Sequence, residues 1–523
     1  MSTLLTRPTP LATAPSAGPR RRRAIIAPLG IGMFAFLVSV AGNWIPSLWN
    51  DEVATVTSAT RTWAQLFAEV QHVDAVHAAY YSFMHVVFDL VGYSPFTLRL
   101  PSALAIGGAA ALLVVLVRMI VDTRLAVTSG LIFAVLPRVA WAGGEGRSYA
   151  ISALLAITLT LLLVLALRRG RARWWVLYGA AIVVACTVFI YLALIVLAHG
   201  VTVFALRHRA LSPAAALGPR RHPLRRWIIT VAAVGVASLP FAHLVMSEGG
   251  QVSWIPAVDA TTFHSVLLTQ WFWKSPGLAA IAWTLVAAAV VILVMRRRRD
   301  ILASVILPAV FLPTAALIIV SVLYEPLYSP RYLTMCTPFV AIAMAVPISL
   351  LRARWQQVAA LLLICSFAVP NLIAERAPEA KQGSSWTYVA SLIAAQRAAA
   401  GPNVTTGILY GPLRHHFAAT TREIEYAYPE AFAGTVDITL SKPAGARPDL
   451  WETHHSLTND IPMVQSTDVV YLITSVKQDR RPSTAATLST IGWYAIAEWH
   501  FRSVNVVEYT FTGLAPIGPL PHP

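Results

Sequence analysis

The chain has 523 residues, 57% hydrophobic and only 12% charged, with a mean hydropathy of +0.63. Those proportions exclude a soluble globular protein or a disordered chain and indicate a polytopic membrane protein. The net charge of +16 comes largely from short arginine clusters between apolar runs, so no nucleic-acid surface is expected.

Residues 1–23 are rich in Pro, Ala and Thr, end in Arg20–Arg23, and read as a disordered cytoplasmic tail. The apolar run that follows is long and has no small-x-small cleavage site, so it reads as an uncleaved first span. A span takes ~20 apolar residues. The candidates are 24–46, 98–120, 124–142, 148–167, 174–188, 190–206, 227–246, 277–295, 301–323, 333–351 and 356–373, about eleven in all. The basic clusters at Arg20–Arg23, Arg118 with Arg124, Arg168–Arg173, Arg207–Arg226, Arg296–Arg299 and Arg352 with Arg354 all fall on one side. That side is assigned to the cytoplasm. The stretch 174–206 is too long for one helix, which would measure ~50 Å. A single helix there would also invert every later loop, so a tight hairpin of two short helices is expected. Cys186, Cys336 and Cys365 all lie in apolar segments and read as buried packing residues.

The outer loops are then 47–97, 143–147, 247–276, 324–332 and everything after residue 373. Loop 47–97 carries Asp51, Glu52, Glu69, His72, Asp74, His77 and Asp89 against two arginines, Arg61 and Arg99. Val53, Val56, Ala59, Trp63, Leu66, Phe67 and Val70 recur at helical spacing, and Tyr80–Val91 forms a second amphipathic piece. Both are expected to lie on the outer membrane surface, apolar face down. Residues 374–523 change in composition and read as an extracytoplasmic α/β domain. It has a helix from Ser384 to Ala400, capped by Ser384 or Ser385, and strands at Thr406–Tyr410, Val469–Ser475, Trp493–Phe501 and Val504–Phe511. It holds no catalytic motif, and His415-His416 and His454-His455 read as surface polar residues.

Two further features lie on the outer face. Gly143-Gly144-Glu145-Gly146-Arg147-Ser148-Tyr149 sets an acid and a base beside glycines at the end of the third span. Pro326-x-Tyr328-Ser329-Pro330-Arg331-Tyr332-Leu333 brings an arginine to the start of the tenth, where its forked donors suit a phosphate. The bland alternatives are a loop ion pair and a snorkelling arginine. Taken together, carboxylates, histidines, arginines and aromatics at one membrane face suit a reaction between a lipid with a phosphate head and an outside acceptor. No Walker loop, dinucleotide fingerprint or zinc spacing competes.

These motifs resemble the C-type (GT-C) integral-membrane glycosyltransferases, in particular the protein O-mannosyltransferases and lipid A aminoarabinose transferases of glycosyltransferase family 39. Asp51-Glu52 resembles the family's first-loop acidic motif, and Asp74-x-x-His77-x-x-Tyr80-Tyr81 its D-x-H-P-P-x-Y-Y. Leu98-Arg99-Leu100-Pro101-Ser102 resembles R-L-P-S, Glu145-x-Arg147-x-Tyr149 resembles E-x-R-x-Y, and Arg331-Tyr332-Leu333 resembles the late R-Y-L. The resemblance covers residues 24–373; Ala78 and Ala79 depart from it by replacing the paired prolines. It implies transfer of a sugar, mannose or another hexose, from a polyprenyl-phosphate carrier to a protein, glycan or lipid acceptor, with inversion. Asp51 or Glu52 would be catalytic. Asp74, His77, Tyr80, Tyr81, Arg99, Glu145, Arg147, Tyr149, Arg331 and Tyr332 would bind substrate. A divalent metal ion held by Glu52 with His72 or His77 would share the charge of the leaving phosphate. The main rival is a lipid or polysaccharide transporter or flippase. That reading predicts charges spread through the spans, where only His199, His243 and Arg138 stand out. A non-catalytic envelope-binding scaffold is a third.

Overall fold

Each apolar stretch is helical over most of its length in the structure, a computed structural model that describes residues 19–207, 222–248, 254–273, 275–295, 301–413 and 418–513. Among the described residues, six helices are long and apolar enough to cross a membrane: Pro95–Ile120, Tyr149–Arg169, Pro276–Met295, Ile301–Leu323, Pro330–Ser349 and Arg354–Ala374. Two bent pairs add to them, Thr123–Val135 with Pro137–Gly143 at 65° and Pro223–Ala237 with Leu239–Met246 at 56°. Three shorter apolar helices are Ile25–Val40, Ala172–Val188 and Ile190–Leu206. The chain is thus a polytopic helical membrane protein, and the expected spans divide into full, bent and short helices. Pro137 explains the first bend, because it has no N–H to continue the helix. The long stretch 174–206 breaks at Phe189, which is extended at φ −155° and ψ 98°, before a 3₁₀ turn at Ile190–Leu192.

The first helix begins at Pro19, so the arginine cluster lies within it rather than in the expected tail. The first and second span helices meet closely, since a Cβ on Gly32 would lie 2.8 Å from the Gly107 carbonyl. Basic loops meet at one end of the bundle, where Arg124 donates to the Leu351 carbonyl and Arg226 to that of Gly170. Arg296–Arg299 and His415-His416 lie outside the described residues.

At the other end sits the C-terminal domain. Among its described residues the strands are β1 (Thr406–Tyr410), β2 (Val436–Asp437), β3 (Leu440–Lys442), β4 (Thr453–His454), β5 (Val469–Ser475), β6 (Trp493–His500) and β7 (Val504–Phe511). The main sheet runs β2-β1-β5-β7-β6, with β1 parallel to both neighbours and β7 antiparallel to both of its own. Strand β5 alternates as a doubly covered strand must: Val469, Tyr471 and Ile473 face one core, Val470 and Leu472 the other. His454 and His455 are exposed, as expected of surface residues.

The first outer loop folds as helices Asn50–Ala59, Trp63–Glu69 and Ala78–Val91. Their buried face departs from expectation. Val53, Val56, Ala59, Leu66, Val70, Tyr81 and Met84 form one core with Trp386, Val389, Ile408, Tyr471 and Val506 of the C-terminal domain. The periodicity marks a protein interface, where the sheet offers apolar area of its own. Only a minority of apolar side chains, among them Phe67, Phe83 and Leu90, remain exposed.

Candidate active site

Helix Asn50–Ala59 begins the site. Its N-cap, Trp49, has no capping oxygen, and Asp51 and Glu52 occupy the first turn, where the positive helix end favours carboxylates. Consecutive helical residues point about 100° apart, and here they go separate ways. Glu52 is fully buried and takes a bidentate ion pair from Arg99, at 2.7 Å from Nε and 2.6 Å from Nη2. It also accepts from the Gly146 N–H at 2.8 Å. A Cβ on Gly146 would fall 2.6 Å from Leu98, so only glycine allows this approach. Arg99 spends its other donors on the carbonyls of Asn43, Pro46 and Ser47. Both residues were expected to serve substrate, but both are consumed in bracing the first loop against the second span, since every strong donor and acceptor they have is matched inside the protein.

Asp51 faces the other way. Its Oδ2 accepts from Arg331 Nη1 at 2.6 Å, and both side chains keep partial exposure, 25% and 16%. Arg331 sits in a 3₁₀ turn opened by Pro330. Four rings surround its guanidinium carbon: Trp254 at 4.9 Å, Trp49 at 5.6 Å, Tyr332 at 5.8 Å and Tyr149 at 6.0 Å. Its Nε is buried and receives no partner among the described residues. Tyr332 stacks on Tyr191 with centroids 4.5 Å apart, and Tyr149 lies against Trp141 at 5.4 Å.

Arg147 reaches the same place from the end of the third span. It donates to the Asp51 carbonyl at 3.2 Å, to Thr55 Oγ1 at 3.4 Å and to the Tyr81 hydroxyl at 3.1 Å, and its Nη2 lies 2.7 Å from His77 Nε2. An arginine can only donate, so that histidine nitrogen carries no proton and His77 is neutral. Burial first, then the charges of Arg147 and Arg331, push its pKa well below the usual histidine value. Burial opposes the charge of Arg147 too, but Tyr81, Asp51, Tyr149 and Asp74 outweigh it and raise its pKa. Asp74 adopts the left-handed region at φ 59° and accepts from the Tyr81 hydroxyl at 2.6 Å. Burial raises its pKa against the pull of Arg147. Tyr80 is buried in the core shared with the C-terminal domain.

The structure therefore brings together Asp51, Asp74, His77, Tyr81, Arg147, Tyr149, Arg331 and Tyr332. The expected metal set does not fit. Glu52 is committed to Arg99, His77 to Arg147, and His72 is exposed in the turn after helix Trp63–Glu69, with Nδ1 at 2.8 Å from the Ala68 carbonyl of that helix. Among the described residues no three His, Cys, Asp or Glu side chains converge as ligands.

Glu145 is fully buried and joins two residues that the motif reading passed over. One is Trp49, whose indole N–H donates to it at 2.6 Å; the other is Lys381, which forms an ion pair with it. Burial raises the Glu145 pKa and Lys381 opposes that rise. Trp254, over Arg331, and Glu248, which accepts from the Ala75 N–H at 3.0 Å, were also missed. Lys381 left one trace in the sequence: it is one of four lysines in a chain otherwise reliant on arginine.

Comparison with known structures decides the architecture. ArnT from Cupriavidus metallidurans in the apo state aligns over 94% of this chain and 98% of its own, with a TM-score of 0.54 and 14% identity. The form bound to undecaprenyl phosphate aligns over 95% and 99%, with a TM-score of 0.52 and 15% identity. The chain shares the fold of ArnT. That is the GT-C architecture which the motifs resembled. A family model described as dolichyl-phosphate-mannose-protein mannosyltransferase matches residues 78–219, a stretch that includes Tyr80, Tyr81, Arg99 and the Glu145–Tyr149 motif. No curated protein matches the chain by sequence.

Proposed function

We propose that the protein is a membrane glycosyltransferase that moves a sugar, mannose or another hexose, from a polyprenyl-phosphate carrier to an extracytoplasmic acceptor. The observation that carries this reading is the ion pair between Asp51 and Arg331, with Arg147 on the Asp51 carbonyl. A carboxylate and two arginines meet at the end of the bundle opposite the basic loops. The lipid phosphate bound to one ArnT structure belongs to that protein, and it makes the same ligand class the natural one to test here. The matched mannosyltransferase model favours mannose as the first sugar to try.

In the proposed reaction Asp51 accepts the proton of the acceptor hydroxyl as its oxygen attacks the anomeric carbon. The bond from that carbon to the phosphate oxygen breaks, and the electron pair leaves with the phosphate. Attack from the opposite side inverts the anomeric centre. A phosphate is already a weak base, so its departure requires no general acid. Arg331 and Arg147 stabilise its charge, in a partly dry setting where such contacts are strong. Every part is supplied by the chain, without a metal step. The basic loops are then cytoplasmic, and the site and residues 374–523 lie outside.

The test is turnover by purified protein of a panel of undecaprenyl-phosphate sugars, with release of undecaprenyl phosphate as the readout. Vectorial movement of labelled lipid across proteoliposomes, with no sugar transferred, would replace this reading with the transporter.

A further inference from the structure

In the stretch Ser47–Leu48–Trp49, just ahead of Asp51, the Ser47 N–H and hydroxyl and both backbone groups of Leu48 are answered by residues that follow the last span, while Arg99 holds the Ser47 carbonyl from within the membrane domain. The Ser47 N–H donates to the Pro378 carbonyl at 2.7 Å, and its hydroxyl to Thr387 at 2.9 Å. The Leu48 N–H donates to the Tyr428 hydroxyl at 2.9 Å, and the Leu48 carbonyl accepts from Ser384 at 2.6 Å. Ser384 or Ser385 was expected to cap the following helix; Ser385 stands at the N-cap without a side-chain cap bond, and the Ser384 hydroxyl, besides donating to Leu48, accepts from the Trp386 N–H at 3.5 Å. The Trp49 indole is held by Glu145, which Lys381 pairs with. Lys381 is itself buried, with its ammonium 5.2 Å from the Trp141 ring. All of these outer partners except Glu145 follow the last span.

We infer that Lys381, Ser384 and Tyr428 are positioning residues, and that the C-terminal domain and its linker clasp the Ser47–Trp49 segment to set Asp51 and Trp49 against Arg331. This rests on the glycosyl-transfer reading for its catalytic consequence, though not for the clasp itself. The physical argument is one of linkage length. Asp51 lies two residues beyond Trp49, at a helix start with no cap of its own, so its place follows from where the segment is pinned. The pins are short hydrogen bonds in a largely buried interface, where an unmatched group is costly. Trp49 serves twice: one end is tied to Glu145 and its ring lies 5.6 Å from the Arg331 guanidinium carbon. A shift of about 1 Å in a catalytic group costs up to ~10²-fold in rate.

The experiment uses full-length protein in detergent or nanodiscs with three substitutions: Tyr428→Phe, Lys381→Met and Lys381→Arg. Tyr428→Phe removes one hydroxyl and keeps the ring, so it guards against a Lys381→Met protein that fails to fold. Amide hydrogen exchange over residues 44–55 reads the clasp directly, and kcat and KM for undecaprenyl-phosphate mannose, or whichever panel donor the wild type turns over, read its consequence. The expected result for Tyr428→Phe is faster exchange at Leu48 with kcat lowered about 10-fold, KM for the donor within about 2-fold of the wild type by the same reasoning, and melting temperature preserved. Lys381→Met should lose more, and Lys381→Arg should recover most of kcat. Unchanged exchange in Tyr428→Phe overturns the clasp. Faster exchange with wild-type kcat overturns the positioning role, as does a kcat loss that only follows a loss of melting temperature. A wild type inactive on every donor, with faster exchange in the variants, defeats the glycosyl-transfer reading and the catalytic consequence together, while the clasp stands.

Discussion

Replacing Arg331 tests the site most directly. Its guanidinium makes a 2.6 Å charge-assisted bond to Asp51 and lies 4.9 Å from the Trp254 ring. Lysine keeps the charge but loses the fork, so it cannot hold Asp51 and a phosphate oxygen from one rigid plane. It also loses the flat face that stacks on the surrounding rings. One charge-assisted hydrogen bond is worth about 1.5–3 kcal/mol. That predicts a fall of about 10- to 150-fold in kcat/KM for the lipid donor in Arg331→Lys. Arg331→Ala removes the charge as well and should fall by about 10²–10³-fold, as loss of an oxyanion donor does. The assay is release of undecaprenyl phosphate from its mannose ester at several donor concentrations. Activity of Arg331→Lys within about threefold of the wild type would refute the reasoning, because it would show that neither the fork nor the stacking contributes even ~1 kcal/mol.

Asp51→Asn should leave the fold intact and lower kcat by about 10²–10⁴-fold; near-normal single-turnover rates would exclude Asp51 as the base. Glu52→Gln should act on stability rather than on chemistry, since it leaves buried Arg99 without its counter-charge at a cost of about 3–5 kcal/mol. Thermal unfolding in detergent checks this, and a stable but inactive Glu52→Gln protein would return Glu52 to the reaction. His77 makes stability depend on pH. Its folded pKa lies well below the usual value of 6.5, so the unfolded chain takes up a proton that the folded one refuses. Its contribution is therefore complete above pH 6.5 and is lost as pH falls below it, by about 1.4 kcal/mol per pH unit. A His77→Gln protein should lack that slope between pH 6.5 and 5, as followed by melting temperature, and an identical slope in both proteins would contradict the neutral histidine. Single cysteines at Asn403 and Arg354 test the orientation: impermeant reagent should label the first from outside intact cells and spare the second.

Much of the membrane architecture was legible because its physics is one-dimensional. Apolar length marks a helix, and arginine clusters mark a side, with no need to know what touches what. The longer strands of the C-terminal sheet were legible for the same reason, since Val469–Ile473 is a continuous apolar run between turn signals. The first outer loop shows where such reading stops. The period of Val53, Val56, Ala59 and Leu66 announces a buried face, but a membrane and a folded sheet ask for the same pattern. Only the partner distinguishes them, and that partner, Ile408 and Tyr471 with their neighbours, lies more than 300 residues away. The short strands β2, β3 and β4 were missed because two or three residues carry no period at all.

The charges of the site raise the same difficulty more sharply. Asp51 and Glu52 are adjacent acids in one motif, and nothing local assigns them different work. Helical geometry sends them to different neighbours, and the neighbour decides the role. Glu52 finds Arg99 in a fully buried setting where both oxygens are matched, so it can neither take a proton from a substrate nor bind a metal without first breaking that pair. Asp51 finds Arg331, which keeps some exposure and has ring faces around it, so the pair can open toward a ligand. Arg99 and Arg331 look alike in the sequence, each standing near the outer start of a span with a nearby proline. What separates them is the count of internal acceptors among the described residues: Arg99 has two carboxylate oxygens and three carbonyls, while Arg331 has one carboxylate oxygen and an Nε that meets no acceptor there. An arginine whose donors are all answered inside the protein holds the fold together. One that keeps a donor in reserve, beside an acid that is itself partly exposed, is equipped to receive an anion.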